Sequence, residues 1–135
     1  MKALNIAFGL ICLLLIGCGD AATGTYRAEV EQVGSTTRDD KGYSLADYQQ
    51  KLIDQPRVIE LQGQGRFVTR EGERVVWQGV WHREPDALIL RAQTVNGVQV
   101  TEQLQDDVRF GFSDGHIYDE RMVNTYGLRL VYVKP

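Results

Sequence analysis

The chain has 135 residues, of which 43% are hydrophobic and 24% are charged, and its formal net charge is −3. This length suits a single domain that can bury a sizeable core. The basic residues are scattered among acidic ones, whereas nucleic-acid binding needs a concentrated basic surface. We therefore expect no nucleic-acid partner.

The first 17 residues have the organisation of a secretory signal peptide. Lys2 supplies a positive charge, an apolar run extends from Ile6 to Ile16, and Gly17 provides a small residue before a cleavage site. The run is shorter than the roughly 20 apolar residues that a transmembrane helix needs. The sequence therefore predicts a signal peptide at 1–17.

The end of this segment, Leu15-Ile16-Gly17-Cys18, resembles the bacterial lipoprotein box. The resemblance implies cleavage before Cys18, two acyl chains on its thiol, and a further chain such as palmitate on its new amino group. At least two chains are needed for stable membrane anchoring. Gly19 follows the cysteine where Asp would favour the inner membrane, which implies the outer membrane, most simply its periplasmic face. Residues 18–23 would form a short lipidated tether.

Cysteine usage narrows the chemistry of the mature protein. Of the two cysteines, Cys12 lies inside the predicted signal peptide, and Cys18 would be acylated. We therefore expect no intramolecular disulfide and no zinc site of the multi-cysteine kind.

From Gly24 onward, polar and apolar residues alternate in short segments separated by turn residues. Alternation is typical of strands with one face in the core, and Asn96-Gly97 is the strongest hairpin signal. A polar loop is expected at 34–42. The predicted strands are 25–31, 58–62, 66–70, 74–82, 87–95, 98–104, 108–112, 116–123 and 128–134.

One short helix interrupts the strands at about 44–54. Ser44 and Asp47 have the spacing of a capped helix start, and Pro56 ends the segment. An apolar stripe at helical spacing predicts that the helix lies against the barrel or plugs one end; it consists of Leu45, Tyr48 and Leu52.

The expected fold class is all-β. Residues 24–135 should form a single antiparallel eight- to nine-stranded closed barrel or sandwich. Closure is favoured because it removes exposed strand edges, and the first and last strands are natural partners.

The order of strand motifs is similar to that of the lipocalin-like barrels of small bacterial lipoproteins. Tyr26 stands where lipocalins have a tryptophan. The matching segments are Gly24-Thr25-Tyr26, Ile59-Glu60-Leu61, Gly65-Arg66-Phe67, Gly79-Val80-Trp81 and Leu88-Ile89-Leu90.

One face of the strand at 74–82 is wholly apolar and should point inward; it comprises Val75, Trp77, Gly79 and Trp81. Two interpretations follow. The barrel holds a ligand cavity with aromatic walls, or it has a packed core in which Gly79 permits a bend or a close backbone approach. We favour the packed core. The candidate ligand-binding residues in the other case are Trp77, Trp81, Phe67 and Phe110.

Metal binding and catalysis have weak support. The sequence has two histidines, His82 and His116. Their spacing from acidic neighbours does not match a known metal-ligand motif; these neighbours include Glu84, Asp114 and Asp119. We therefore expect both histidines to lie on the surface. No serine stands in a nucleophile-elbow context, and Asp106-Asp107 suits a turn. We therefore expect no enzyme activity, no metal site and no cofactor.

The sequence thus favours a non-enzymatic, lipid-anchored module of the cell envelope, attached to the membrane through Cys18. It would bind an envelope protein or another partner through a barrel end or through irregular segments such as 37–41 and 45–53. The alternatives are a carrier of a small apolar ligand inside the barrel and an inhibitor of an envelope hydrolase.

Overall fold

The computed structural model describes residues 21–34 and 44–135. The predicted signal peptide, the acylation site at Cys18 and most of the predicted polar loop, including 37–41, lie outside the described residues.

The described residues form nine strands, two α-helices and two short 3-10 turns. The strands are β1 (Gly24–Gln32), β2 (Arg57–Gln62), β3 (Arg66–Glu71), β4 (Arg74–Glu84), β5 (Ala87–Val95), β6 (Val98–Gln99), β7 (Asp107–Ser113), β8 (His116–Asp119) and β9 (Leu128–Val133). The helices are α1 (Leu45–Asp54) and α2 (Val123–Tyr126), and the 3-10 turns are Gly63–Gly65 and Glu102–Leu104.

Eight of the strands close into an antiparallel barrel, and β6 extends β5 as an additional hairpin strand. β1 pairs with both β2 and β9, while β4 pairs with both β3 and β5. The prediction of an all-β closed barrel is confirmed, as is the partnership of the first and last strands. Asn96 and Gly97 both have positive φ, 50° and 80°, as the predicted hairpin turn requires.

The two ends of the barrel differ in their connections. We call one the tether end: β1 begins there, and its short connections are 63–65, 85–86 and 114–115. We call the other the loop end: β1 ends there, and its connections are 33–56, 72–73, 96–106 and 120–127. Both α-helices and the β6 hairpin belong to the loop end, which therefore carries most of the irregular structure.

Large side chains fill the interior of the barrel. Tyr26, Leu61, Phe67, Leu88, Leu90, Ile117, Leu128 and Leu130 are each less than 2% exposed. An eight-stranded barrel has an interior about wide enough for its own side chains, so this filling is the expected outcome of the strand number. Ala22 is also fully buried, and its carbonyl oxygen accepts a 2.5 Å hydrogen bond from the Tyr26 hydroxyl.

Helix α1 begins with the predicted capping box. The Ser44 hydroxyl accepts a hydrogen bond from the Asp47 N–H, and the Asp47 carboxylate accepts one from the Ser44 N–H. The Ser44 backbone bond holds the pKa of Asp47 below its usual value. The helix packs against β1, and its Leu52 contacts the core. Residues 28–32 of β1 pair with β9 but not with β2.

Two predicted strands are shorter than expected. The prediction of a strand at 98–104 is wrong beyond Gln99, because β7 pairs with β5 in its place. The Leu104 N–H instead donates a hydrogen bond to the Thr101 carbonyl oxygen in a 3-10 turn. The strand expected at 116–123 ends at Asp119. Its carboxylate accepts the backbone N–H of Arg121, a local turn that competes with the strand, and α2 follows.

A bulge in β4 corrects the predicted apolar face of that strand. Trp77 pairs with Thr69, but Val75 pairs with Arg70, so one extra residue separates the two pairs. Arg70 binds Glu60 on the outer face, and Val75 lies on that same face. Simple alternation was therefore wrong for Val75, because a bulge changes which face the following residues occupy.

Gly79 is the point of closest approach between two strands. A Cβ atom at this position would lie 2.0 Å from the Arg91 carbonyl oxygen and 2.9 Å from the Gln93 nitrogen. The neighbouring register shift in the β4–β5 pairing brings β5 this close. The interpretation that Gly79 permits a close backbone approach is confirmed.

We predict that Gly79→Ala costs about 3 kcal/mol or more in unfolding free energy, because the obstructing atoms belong to backbone rather than to a mobile side chain. Gly63→Ala is the matched control, since nothing lies within 4 Å of a Cβ there. That control should change stability by no more than about 0.5 kcal/mol. Chemical denaturation measures both, and equal effects of the two substitutions would contradict the account.

Candidate functional site

Three of the four aromatic residues predicted to bind a ligand lie in the packed core. Phe67, Phe110 and Trp81 are 1%, 3% and 8% exposed, respectively. The Trp81 indole N–H donates a 3.0 Å hydrogen bond to the Gln62 carbonyl oxygen, so its polar group is satisfied within the protein. The fourth, Trp77, is only partly buried and borders a cavity at the loop end.

This cavity has a volume of about 130 Å³ and a mostly polar lining. The strand register places Arg57, Thr69 and Glu71 on the inner face where β2 and β3 approach the loop end. We call the cavity and these residues the loop-end site. Its polar and aromatic lining residues are Arg57, Thr69, Glu71, Trp77, Arg121 and Tyr132.

An ion pair between a buried carboxylate and a half-exposed guanidinium lies beside the loop-end site. Asp119 points inward from β8 and is 4% exposed. Its carboxylate accepts bonds from Arg121 Nε at 2.9 Å and Nη2 at 2.7 Å, together with the Arg121 backbone N–H at 3.1 Å. These contacts raise the pKa of the Arg121 guanidinium. The fork geometry compensates the buried charge, and removal of either partner would leave the other unpaired.

Aromatic faces hold the Arg121 guanidinium in position. Its central carbon lies 5.3 Å from the centre of the Phe110 ring and 5.9 Å from that of Trp77. Cations are attracted to such faces at these distances. The Arg121 side chain is nevertheless 55% exposed, so the guanidinium faces the cavity rather than being sealed in the core.

Tyr132 is the unusual polar group of the site. It is 6% exposed, and within the described residues its hydroxyl has no hydrogen-bond partner. Burial raises the pKa of this hydroxyl to about 12. Nearly all buried polar groups in proteins are hydrogen-bonded to protein or to ordered water, so an unpartnered hydroxyl beside a polar cavity is uncommon.

Other hydrogen-bond donors of the site also lack an acceptor within the described part of the chain. The Arg57 Nε lies 3.6 Å from Glu71 Oε1, beyond hydrogen-bond range although close enough for an ion pair. Thr69 Oγ accepts the Trp77 backbone N–H at 3.1 Å, which leaves its hydroxyl free to donate. Glu71 is engaged differently, since it accepts a 3.1 Å bond from Arg74.

Apart from Trp77, the residues that line this site were not predicted from the sequence. Tyr132 has the same parity in its strand as Leu128 and Leu130, which predicts a core position, and it is indeed buried. One signal was present: Arg57 and Asp119 have the same parity as the buried apolar residues of their strands. A charged residue in an inward position indicates either a buried pair or a site.

The outer face of the barrel is polar and carries ion pairs between neighbouring strands. Arg91 bonds Asp107 at 2.8 Å, and Arg109 bonds Glu84 at the same distance. These bonds hold the pKa values of Asp107 and Glu84 below their usual ranges. In the described ranges, 21–34 and 44–135, no helix is both long and apolar enough to span a membrane.

The histidines do not build a metal centre. His82 is exposed and lies 3.8 Å from Glu84, whereas Asp119, one of the acidic neighbours considered above, is buried on the inner face and bound to Arg121. Among the residues that the structure describes, no three His, Cys, Asp or Glu side chains come together as a metal site would require.

A second depression, of about 560 Å³, lies between α1 and β1. Its apolar wall comes from Val30, Leu52, Ile53 and Pro56, and its opposite rim carries Arg27 and Glu29. It is a wide surface groove at the loop end rather than an enclosed site.

The buried Tyr132 gives a testable pH dependence. Since its pKa rises from 10.0 in the unfolded chain to about 12 in the fold, its neutral form stabilises the barrel fully below pH 10, and this contribution is lost as pH rises toward about 12. We predict that Tyr132→Phe reduces the fall in unfolding free energy over this interval. Identical alkaline profiles for the variant and the unmodified protein would contradict the placement of Tyr132.

No family model, no curated protein sequence and no solved structure matches the chain. Inference of function therefore depends on the geometry of its own residues.

Proposed function

We propose that this protein is a non-enzymatic binding module of the bacterial cell envelope, anchored by lipid at Cys18, and that it binds its partner with the loop end of the barrel. The lipoprotein-box resemblance of residues 15–18 supports the anchor. The distribution of exposed apolar side chains supports the binding face.

Contacts at the start of the described chain support a fixed orientation of the barrel on the membrane. Ala22 is buried, and the Lys134 ammonium donates a 2.9 Å hydrogen bond to the Ala21 carbonyl oxygen. Cys18 precedes Ala21 by three residues, which span at most about 11 Å. A lipid at Cys18 would therefore keep the tether end against the bilayer and leave the loop end facing away from it.

The exposed apolar residues carry the proposal of a binding face. Leu104, Ile53 and Val98 are 72%, 70% and 69% exposed, and all three lie on the long connections of the loop end or on its hairpin. Val80, on the outer face of β4, is 36% exposed. Large apolar side chains on loops of a rigid scaffold are typical of interaction surfaces.

The filled interior favours this proposal over the apolar carrier. A carrier needs a cavity that takes most of its ligand's surface, commonly 300 to 1,000 Å³ in volume. Here Phe67, Trp81 and Phe110 pack with the other core residues, and the loop-end site offers only about 130 Å³.

Photo-cross-linking in living cells tests the proposal. A photoreactive amino acid at Leu104 or Val98 should yield a discrete adduct, and the same residue at Val80 should yield none. Cys18→Ser should abolish acyl labelling of the protein and reduce the adduct, because the module is then no longer held at the membrane.

Each part of the proposal can fail separately in this experiment. An intact mass without acyl chains on Cys18 contradicts the anchor. Equal adducts from Val80 and Leu104, or no adduct from either loop-end position, contradict the binding face.

A further inference from the structure

We propose that the loop-end site binds the carboxylate group of a small, short-chain carboxylic acid. This inference rests on the proposed function, since it assigns a ligand class to the same end of the barrel. It is carried by the donors that line the cavity, by the cavity's size, and by the apolar surface beside the donors.

The first observation is that several hydrogen-bond donors at the cavity have no acceptor among the described residues. The Tyr132 hydroxyl, in a residue that is 6% exposed, has no partner among the described residues and borders the cavity. The Trp77 indole N–H likewise has no partner in the described part of the chain, and it can donate but not accept. A ligand that satisfies both groups must be rich in acceptors.

The charges of the lining agree with an anionic ligand. Arg57 and Arg121 bring two guanidinium groups to the cavity, against the single lining carboxylate of Glu71. Asp119 is not a lining residue, and its carboxylate binds Arg121 Nε and Nη2. The other terminal nitrogen of Arg121, Nη1, has no hydrogen bond among the described residues. A planar guanidinium fork suits a carboxylate.

The size and walls of the cavity select among anions. At about 130 Å³, the cavity is well below the 300 to 1,000 Å³ common for sites of drug-sized ligands, so it suits a ligand of a few non-hydrogen atoms. The Trp77 ring and Val76 give it an apolar side. Acetate and propionate combine an acceptor pair with a short apolar tail, whereas phosphate presents oxygen in every direction.

The filled core sets the upper limit on chain length. Beyond the site, the barrel interior is occupied by Phe110, Leu88 and Leu90, each at most 3% exposed. A longer acyl chain has no space to extend inward, so added methylene groups should not strengthen binding. This is the opposite of what a carrier of apolar ligands would show, because burial of each additional methylene would then strengthen binding.

Saturation-transfer NMR with the full-length protein in deuterated detergent tests the inference. Propionate should receive saturation at its methyl protons, and propionamide, which lacks the charge, should receive little. Tyr132→Phe should weaken propionate binding about tenfold, the usual worth of one hydrogen bond to a charged group. Tyr118→Phe, on the half-exposed outer surface, should leave binding unchanged.

A second variant guards against a folding defect. Arg57→Gln keeps a polar side chain at the rim and should also weaken propionate binding, while a thermal melt verifies that both variants remain folded. Equal affinity in the Tyr132→Phe protein, equal binding of propionamide, or competition by inorganic phosphate at matched ionic strength would overturn the carboxylate assignment. Tighter binding of decanoate than of propionate would overturn it in favour of the apolar carrier.

The outcome is separable from that of the proposed function. Absence of propionate binding together with adducts at Leu104 would remove the ligand assignment and leave the binding module intact. Propionate binding without any loop-end adduct would support a small-molecule site and contradict a macromolecular partner at that face.

Discussion

The structure depends on one constraint, the antiparallel pairing of β1 with β9 that closes the barrel. Six consecutive residues of β1, from Arg27 to Gln32, pair with Val133 to Leu128 of β9. Closure leaves no long exposed strand edge in the barrel, and with eight strands it fixes an interior that the protein's own side chains fill. The core, the cavity at one end and the placement of the connections all follow from this geometry.

Closure also determines where polar groups can enter the interior. In the middle of the barrel the inner face is apolar, and its Tyr26 and Trp81 polar atoms bond backbone carbonyls. Toward the loop end, β1 extends beyond Arg57, the first residue of β2. Charged residues on the inner face there are in contact with solvent or with an opposite charge, which offsets the cost of burial. Asp119 and Arg121 are such a pair, and Tyr132 is the group that this arrangement leaves unsatisfied.

Much of this fold could be predicted from local chemistry. Alternation located the strands, Asn96-Gly97 located a hairpin, and Ser44 with Asp47 located the helix start, because each signal depends on neighbouring residues alone. The face of Val75 and the end of β8 could not be predicted in this way. A bulge depends on the register with a partner strand, and the turn at Asp119 depends on a side chain that captures a backbone N–H.

The site was harder to predict than the fold for a related reason. Arg57, Glu71, Trp77, Arg121 and Tyr132 are spread over much of the sequence and meet only after the barrel closes. None belongs to a motif with fixed spacing. Their common feature, polar atoms at inward positions near one end, becomes visible once register and strand direction are known.

The barrel is filled around Trp81 and accessible around Trp77, and quenching of single-tryptophan proteins by neutral acrylamide tests this arrangement most directly. With Trp77→Phe, the remaining Trp81 should emit at short wavelength and resist quenching, since it is 8% exposed. With Trp81→Phe, provided that a melt shows a folded protein, Trp77 should be quenched several-fold more efficiently. Efficient quenching of Trp81, or equal quenching of the two residues, would contradict a filled barrel whose accessible site lies at the loop end.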